Sequence, residues 1–228
     1  MERRSLLVGG GLFAASFLIT ASLPKKKEPI AMAAPVIIPQ EPQPVAAAVT
    51  PVEHESVTVG ESTHYKYNDV AAENLVHIAD SANGKEFMAK EAAPYFHSLV
   101  AAAAKHEIRL SVVSAFRSYD KQKGLWENQI KKRGSEAAAA VWSAPPGYSE
   151  HHTGFAVDFN GEDSSTILSE SFENTTAYRW LSENAARFNF YLSFPKDNAQ
   201  KIGFEPWHWK YKPQQQHETS GTNFNFGN

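Results

Sequence analysis

The chain has 228 residues, a formal net charge of −3 and no cysteine. The charge gives no basic surplus of the kind nucleic-acid binding needs. The missing thiols exclude disulfides, thiolate metal sites, a cysteine nucleophile and a lipid-modified N-terminal cysteine, so a bound metal has only His, Asp, Glu or water to hold it.

Arg3 and Arg4 precede an uncharged, mainly apolar run from Ser5 to Leu23, followed by Lys25, Lys26 and Lys27. As a helix that run would span roughly 28 Å, close to the apolar thickness of a bilayer; a secretory signal peptide has the same charged start and apolar middle. Residues 1–23 are therefore expected to be a signal peptide or membrane anchor, and the protein to be extracytoplasmic. Pro24, Pro29, Pro35, Pro39, Pro42, Pro44 and Pro51 punctuate the next stretch. Proline fixes φ and lacks a backbone donor, so residues 24–62 read as an extended Pro/Ala-rich linker.

A folded domain is expected over residues 63–213. Glu91 to His106 is Ala-rich with Phe96, Leu99, Val100 and Ala103 at helical spacing and Pro94 in the first turn. Ile108 to Arg117 alternates as a strand, with Leu110, Val112, Ser114 and Phe116 on one face and Ser111, Val113, Ala115 and Arg117 on the other. Tyr119 to Lys132 reads as a helix with Gln122, Leu125, Trp126 and Gln129 along one stripe and Gly134 as its stop. Ser135 to Trp142 reads as a shorter helix capped by Ser135. Pro145, Pro146 and Gly147 then break the chain.

The stretch from Ser149 to Asp158 holds two histidines and an aspartate in ten residues. In its second half Phe155, Val157 and Phe159 would point to one side of a strand, Ala156 and Asp158 to the other. Residues 160–165 form a polar loop. Ala177 to Phe188 reads as a helix with Trp180, Leu181, Ala185 and Phe188 inward and Thr176 as cap; Phe190 to Phe194 reads as a strand and Pro195 to Asn198 as a turn. Ile202 to Tyr211 is the last element, and residues 214–228, rich in Gln, Ser and Asn, read as a disordered tail. The fold class is α+β, one domain of mixed helices and strands.

Two clusters carry chemistry. Glu205-Pro206-Trp207-His208-Trp209-Lys210-Tyr211 alternates aromatic and polar residues as a strand, with Pro206 as a kink that lets Glu205 and His208 reach one point. Joined to the earlier cluster, His151, Asp158 and His208 would make a two-histidine, one-carboxylate zinc site with an open fourth position. His152 adjoins His151, and spacing alone does not decide which of them ligates. Glu205, beside a ligand, is placed for general-base work; Arg117 could hold an oxyanion or a substrate carboxylate. Taken singly these signals are weak: a His and an Asp seven apart, or Glu-x-x-His, arise often by chance. His54, His64, His77, His97, His106 and His217 lack a matching carboxylate and read as surface or packing residues.

Four segments together resemble a known family. Ser114-Ala115-Phe116-Arg117-Ser118-Tyr119-Asp120-Lys121-Gln122 is similar to the SGYRSYxxQ motif of VanY-type D-alanyl-D-alanine carboxypeptidases. Pro146 to Asp158 resembles their PGxSEHxxGxAxD, and Glu205 to Tyr211 their EPWHxRY, while Trp180-Leu181 with Asn184-Ala185 resembles a WLxxNA segment. The resemblance runs in register from about residue 85 to 212. It implies a small antiparallel sheet carrying a zinc site and packed with several helices, a fold shared with lysostaphin-type and Hedgehog domains. It implies Zn2+ held by His151, Asp158 and His208, with Glu205 as catalytic base, Arg117 as transition-state stabiliser, and Ser149, Gln122 and Ser114 as substrate contacts. The implied reaction removes D-alanine from peptidoglycan stem peptides or precursors, at the membrane or cell wall. An L,D-carboxypeptidase or endopeptidase on the same centre, and a non-catalytic wall-binding module, are the alternatives. Ala115 and Phe116 replace the usual Gly-Tyr, Phe155 a usual Leu and Lys210 a usual Arg. No ligand position is affected.

Overall fold

The computed structural model describes residues 55–213. The expected signal peptide or anchor, the linker through residue 54 and the tail 214–228 lie outside the described residues, as do His54 and His217. Among the described residues no helix is long and apolar enough to cross a membrane.

Regular structure starts before the expected boundary at residue 63. Strands β1 (Ser56–Val59) and β2 (Ser62–Tyr65) form an antiparallel hairpin. The prolines stop at Pro51, and Val57, Thr58 and Val59 then supply the β-branched residues a strand favours. The hairpin is tied to the chain ahead of the last strand: Ser62 Oγ donates to the Lys201 carbonyl and the Thr63 N–H to that of Gln200. A second hairpin, β3 (Leu75–Ser81) and β4 (Gly84–Ala89), occupies a stretch whose sequence gave no expectation.

Helix α1 (Ala93–Lys105) matches its expected extent and has Pro94 in its first turn. Helix α2 (Tyr119–Arg133) begins where Ser118 Oγ accepts the Lys121 N–H and ends at Gly134 in the left-handed conformation, φ 87°. Helix α3 (Glu136–Ala140) is capped by Ser135, as its sequence implies. Helix α4 (Thr176–Asn184) is capped by Thr175 rather than Thr176, because Thr175 holds the extended backbone that aims its Oγ1 at the Tyr178 N–H. The stretch expected to continue this helix, Ala185–Phe188, tightens to a 3-10 turn.

Four short strands make the sheet that matters: β5 (Ser111–Ser114), β6 (Ala156–Asn160), β7 (Phe190–Leu192) and β8 (His208–Tyr211), in the order β5-β6-β8-β7, all antiparallel. Val157, Phe159 and Trp209 join Phe96 and Leu99 of α1 and Trp180 and Leu181 of α4 in one apolar core. The Phe96 and Phe159 rings stack with centroids 6.0 Å apart. The other face is buried as well, yet polar, because Asp158 sits directly opposite both Ser114 of β5 and His208 of β8. Cross-strand partners share a face, so these three side chains form a row across the sheet.

The expected alternation of β5 would have set Ser114 beside Val112. A register shift between Val112 and Ser114 inserts Val113 as an extra residue and turns Ser114 onto the face of Asp158. The strand also ends at Ser114, short of Arg117. The last strand is likewise shorter than expected. Residues 205–207 are a turn closed by the His208 N–H on the Glu205 carbonyl, so Glu205 reaches the site from a turn, as the kink at Pro206 implies.

Candidate metal centre

His151 enters the site from a 3-10 turn, Glu150–Thr153, whose exit is Gly154 at φ 69°. The Gly154 carbonyl accepts the Ala89 N–H, and a Cβ at Gly154 would come within 3.0 Å of that nitrogen. The backbone here needs glycine twice, for its sign of φ and for the close approach. The turn delivers His151 to Asp158: Nε2 lies 3.2 Å from Oδ2, while His208 Nδ1 lies 3.0 Å from Oδ1. One donor atom from each of the three falls within 4.8 Å of the other two. Ligands about 2 Å from a tetrahedral zinc ion stand about 3.3 Å apart, so the donor set and its spacing both fit zinc.

Each histidine is oriented by its far nitrogen. His151 Nδ1 donates to the Ala115 carbonyl, which leaves the Nε2 lone pair facing Asp158. His208 Nε2 lies 2.9 Å from Glu150 Oε2, which leaves Nδ1 for the metal. Such anchoring of a ligand imidazole fixes its tautomer and direction. His152, open as a ligand from spacing alone, has both nitrogens committed elsewhere. Its Nδ1 donates to the Arg117 carbonyl at 2.7 Å and lies 2.9 Å from Asp69 Oδ1, and its Nε2 accepts the Gly147 N–H at 3.1 Å.

Arg117 lies over the row of side chains. Its Nη1 donates to Gln122 Oε1 at 2.9 Å, and its Nη2 to Ser114 Oγ at 3.2 Å and Asp158 Oδ2 at 3.3 Å. Its buried Nε has no partner among the described residues. Arg117, Ser149, Glu205 and the three metal-site residues all line a cavity of about 380 Å³. Gln122 and Ser114 do not. Gln122 is fully buried, its Nε2 donating to Ser143 Oγ and the Ala144 carbonyl, and Ser114 Oγ faces Arg117. Both residues, implied as substrate contacts by the resemblance, hold Arg117 by hydrogen bonds in this structure. Gln122→Ala is expected to lower kcat by about tenfold through a misplaced guanidinium, with zinc affinity unchanged. Steady-state kinetics beside a zinc titration checks this.

Electrostatics sort the charges. Burial and the nearby Arg117 cation push His151 down to about 4, which keeps it neutral for ligation. Burial opposes ionisation of Asp158, but His151 and His208 outweigh it and hold this carboxyl far below the usual range. Burial would likewise lower His208, but its bonds to Asp158 and Glu150 raise it to about 10. Glu205 lies 4.0 Å from His208 Nδ1, and burial raises its carboxyl to about 8.

The last two shifts predict a pH effect. In the metal-free folded protein Glu205 and His208 keep protons that the unfolded chain releases near 4.5 and 6.5. Raised folded-state values give stability that fades as pH climbs toward 8 and 10. The depressed value of His151 acts oppositely, but only between about 4 and its ordinary 6.5. Above pH 6.5 the melting temperature of the chelated protein should therefore fall. A metal that takes the place of the His208 proton removes much of that loss, so the gap between zinc-loaded and chelated melting temperatures widens from pH 6.5 to 9. A constant or shrinking gap contradicts this.

Sequence reasoning gave Glu150 no role. Its carboxylate meets His208 Nε2 through Oε2, and Lys210 Nζ at 3.0 Å and Tyr67 OH at 3.3 Å through Oε1. Burial disfavours the charge, yet His208 and Lys210 hold the carboxyl well below its ordinary range. Its one signal was position, inside the Ser-Glu-His of a matched motif. His64, read as packing, is buried with Nε2 on the Ala140 carbonyl.

A family model described as VanY, D-alanyl-D-alanine carboxypeptidase, matches residues 85–214. The chain is 31% identical over 156 residues to a D-alanyl-D-alanine carboxypeptidase of Enterococcus faecalis, covering 64% of this chain and 56% of that protein. Among solved structures, the LdcB LD-carboxypeptidase is similar at 33% identity and a TM-score of 0.55, over 62% of this chain and 69% of its own. The vancomycin-resistance D,D-pentapeptidase VanY in complex with Zn(II) is similar at 32% identity and a TM-score of 0.50, over 63% and 83%. The chain spans about half the length of the curated relatives it matches. With more than half of its residues inside the family model and the metal-site triad inside that span, the chain belongs to the VanY D-alanyl-D-alanine carboxypeptidase family.

Proposed function

We propose that this protein is a zinc-dependent carboxypeptidase that hydrolyses the terminal D-alanine from peptidoglycan stem peptides or their precursors. One observation carries the reading: a two-histidine, one-carboxylate donor set and a second buried acid, Glu205, share the wall of one cavity. When bound, zinc supplies a Lewis acid and lowers the pKa of a water it holds toward about 7. Glu205 in its ionised form, which the charge of a bound zinc would favour over the metal-free value of about 8, takes a proton from the attacking water and delivers it to the leaving amine. Arg117, held by Gln122 and Ser114, stabilises the developing oxyanion or binds the substrate carboxylate. The Ser149 hydroxyl lines the same cavity and accepts the His151 N–H, leaving its own proton to donate to substrate.

Likeness to the LdcB LD-carboxypeptidase favours one second reading, an L,D-carboxypeptidase acting on a shorter stem peptide. Offering the purified protein a pentapeptide and a tetrapeptide separates the two. The first reading predicts a pentapeptide cut to a tetrapeptide and no further; a tripeptide from the tetrapeptide supports the second. Release of peptides rather than alanine would indicate an endopeptidase, and binding without turnover a wall-binding module.

The reading extends to the compartment. The basic start, the apolar run to Leu23 and the proline-rich stretch after it support export, with the domain held at the membrane or released toward the wall. Cell fractionation tests this, and a purely cytoplasmic product would refute it.

A further inference from the structure

We propose that Glu150 is a positioning residue for the metal ligand His208, and that Tyr67 and Lys210 in turn hold Glu150. The inference rests on the metal-centre reading and goes beyond it by assigning work to residues outside the ligand set and the general base.

The geometry is a chain of contacts. Glu150 Oε2 lies 2.9 Å from His208 Nε2, the nitrogen turned away from Asp158. Glu150 Oε1 is occupied twice, by Lys210 Nζ at 3.0 Å and Tyr67 OH at 3.3 Å. Lys210 also sits over the Tyr67 ring, 4.5 Å from its centroid. Both carboxylate oxygens are therefore engaged by protein, and little of the side chain is exposed, 12%. A carboxylate at the far nitrogen of a ligand imidazole sets ring rotation and raises its donor strength.

Tyr67 precedes the family-matched residues, yet it is not loosely placed. The Tyr67 N–H donates to the Gly147 carbonyl and the Val70 N–H to that of His152, both at 2.8 Å. Residues 67–70 thus form a strap across the turn that carries Glu150 and His151, and bring a hydroxyl from outside the matched segment to the ligand's support.

The test is zinc affinity, measured by competition with a chromophoric chelator, with the cobalt(II) absorption spectrum as a readout of ligand geometry. Glu150→Ala should raise the zinc Kd by about 10–100-fold and shift the cobalt spectrum. Glu150→Gln, which keeps the shape and one acceptor, should raise it less, and Tyr67→Phe least. If Glu150→Ala fails to fold by circular dichroism, the Gln variant decides alone. Wild-type zinc affinity in Glu150→Gln, with only KM for peptide raised, would make Glu150 a substrate contact and overturn the proposal. Wild-type behaviour of Tyr67→Phe would remove the strap from it. A parent protein that binds no zinc would instead sink the metal-centre reading, so the two failures are distinguishable.

Discussion

Glu205→Gln should cut D-alanine release by about a thousandfold while the protein still binds zinc and melts at a temperature no lower than the parent's. General acid–base catalysis contributes about 10²–10⁴-fold, and an amide cannot take up the water's proton. Retained zinc binding is expected because the metal-site triad is His151, Asp158 and His208, with Glu205 outside it at 4.0 Å from His208 Nδ1. Retained stability follows from the same burial that raises the Glu205 carboxyl to about 8: a neutral amide suits that site at least as well as a charge. Kinetics and a zinc titration on one preparation test both halves. Substantial activity in this variant would dismiss Glu205 as the base, and lost zinc would mean that the ligand set is wrong.

Asp158→Asn should act on both folding and metal. Asp158 faces His151, His208 and Arg117 at 3.0–3.3 Å and is almost completely buried. The amide keeps the shape but strips two buried cations, Arg117 and the metal-free His208 imidazolium, of a counter-charge. Breaking a buried pair on one side costs about 3–5 kcal/mol. That loss should appear in denaturant unfolding of the chelated protein, where zinc contributes nothing, and zinc binding should vanish in parallel. A variant as stable as the parent that still binds zinc would contradict the geometry of the row.

How much of this was legible in the sequence depends on the element. Helices α1 and α2 were readable because apolar spacing, Pro94 and Gly134 agree on both their type and their limits. Strand β6 was readable because Val157 and Phe159 alternate with Asp158. The β5 register was not, since one extra residue at Val113 turns Ser114 to the other face and periodicity carries no mark of a bulge. Gln122 and Ser114 were singled out by their motif, and the structure adds that both bond Arg117. A motif shows that residues meet; the bonds that join them to Arg117 are legible only in the structure. His152 was excluded by three contacts, two of them to backbone that no spacing rule foresees. Glu150 and Tyr67 stayed silent because the interaction that gives them meaning joins residues 83 apart.

The central claim is that zinc at His151, Asp158 and His208 drives removal of one alanine from a stem peptide. Mass spectrometry of a peptidoglycan pentapeptide incubated with the protein, chelated and then reloaded with zinc, tests it most directly. The account predicts no change with chelator, loss of a single alanine residue on reloading, and no such loss in Glu205→Gln. An intact peptide after reloading with zinc, or the same product in the chelated sample, would contradict it.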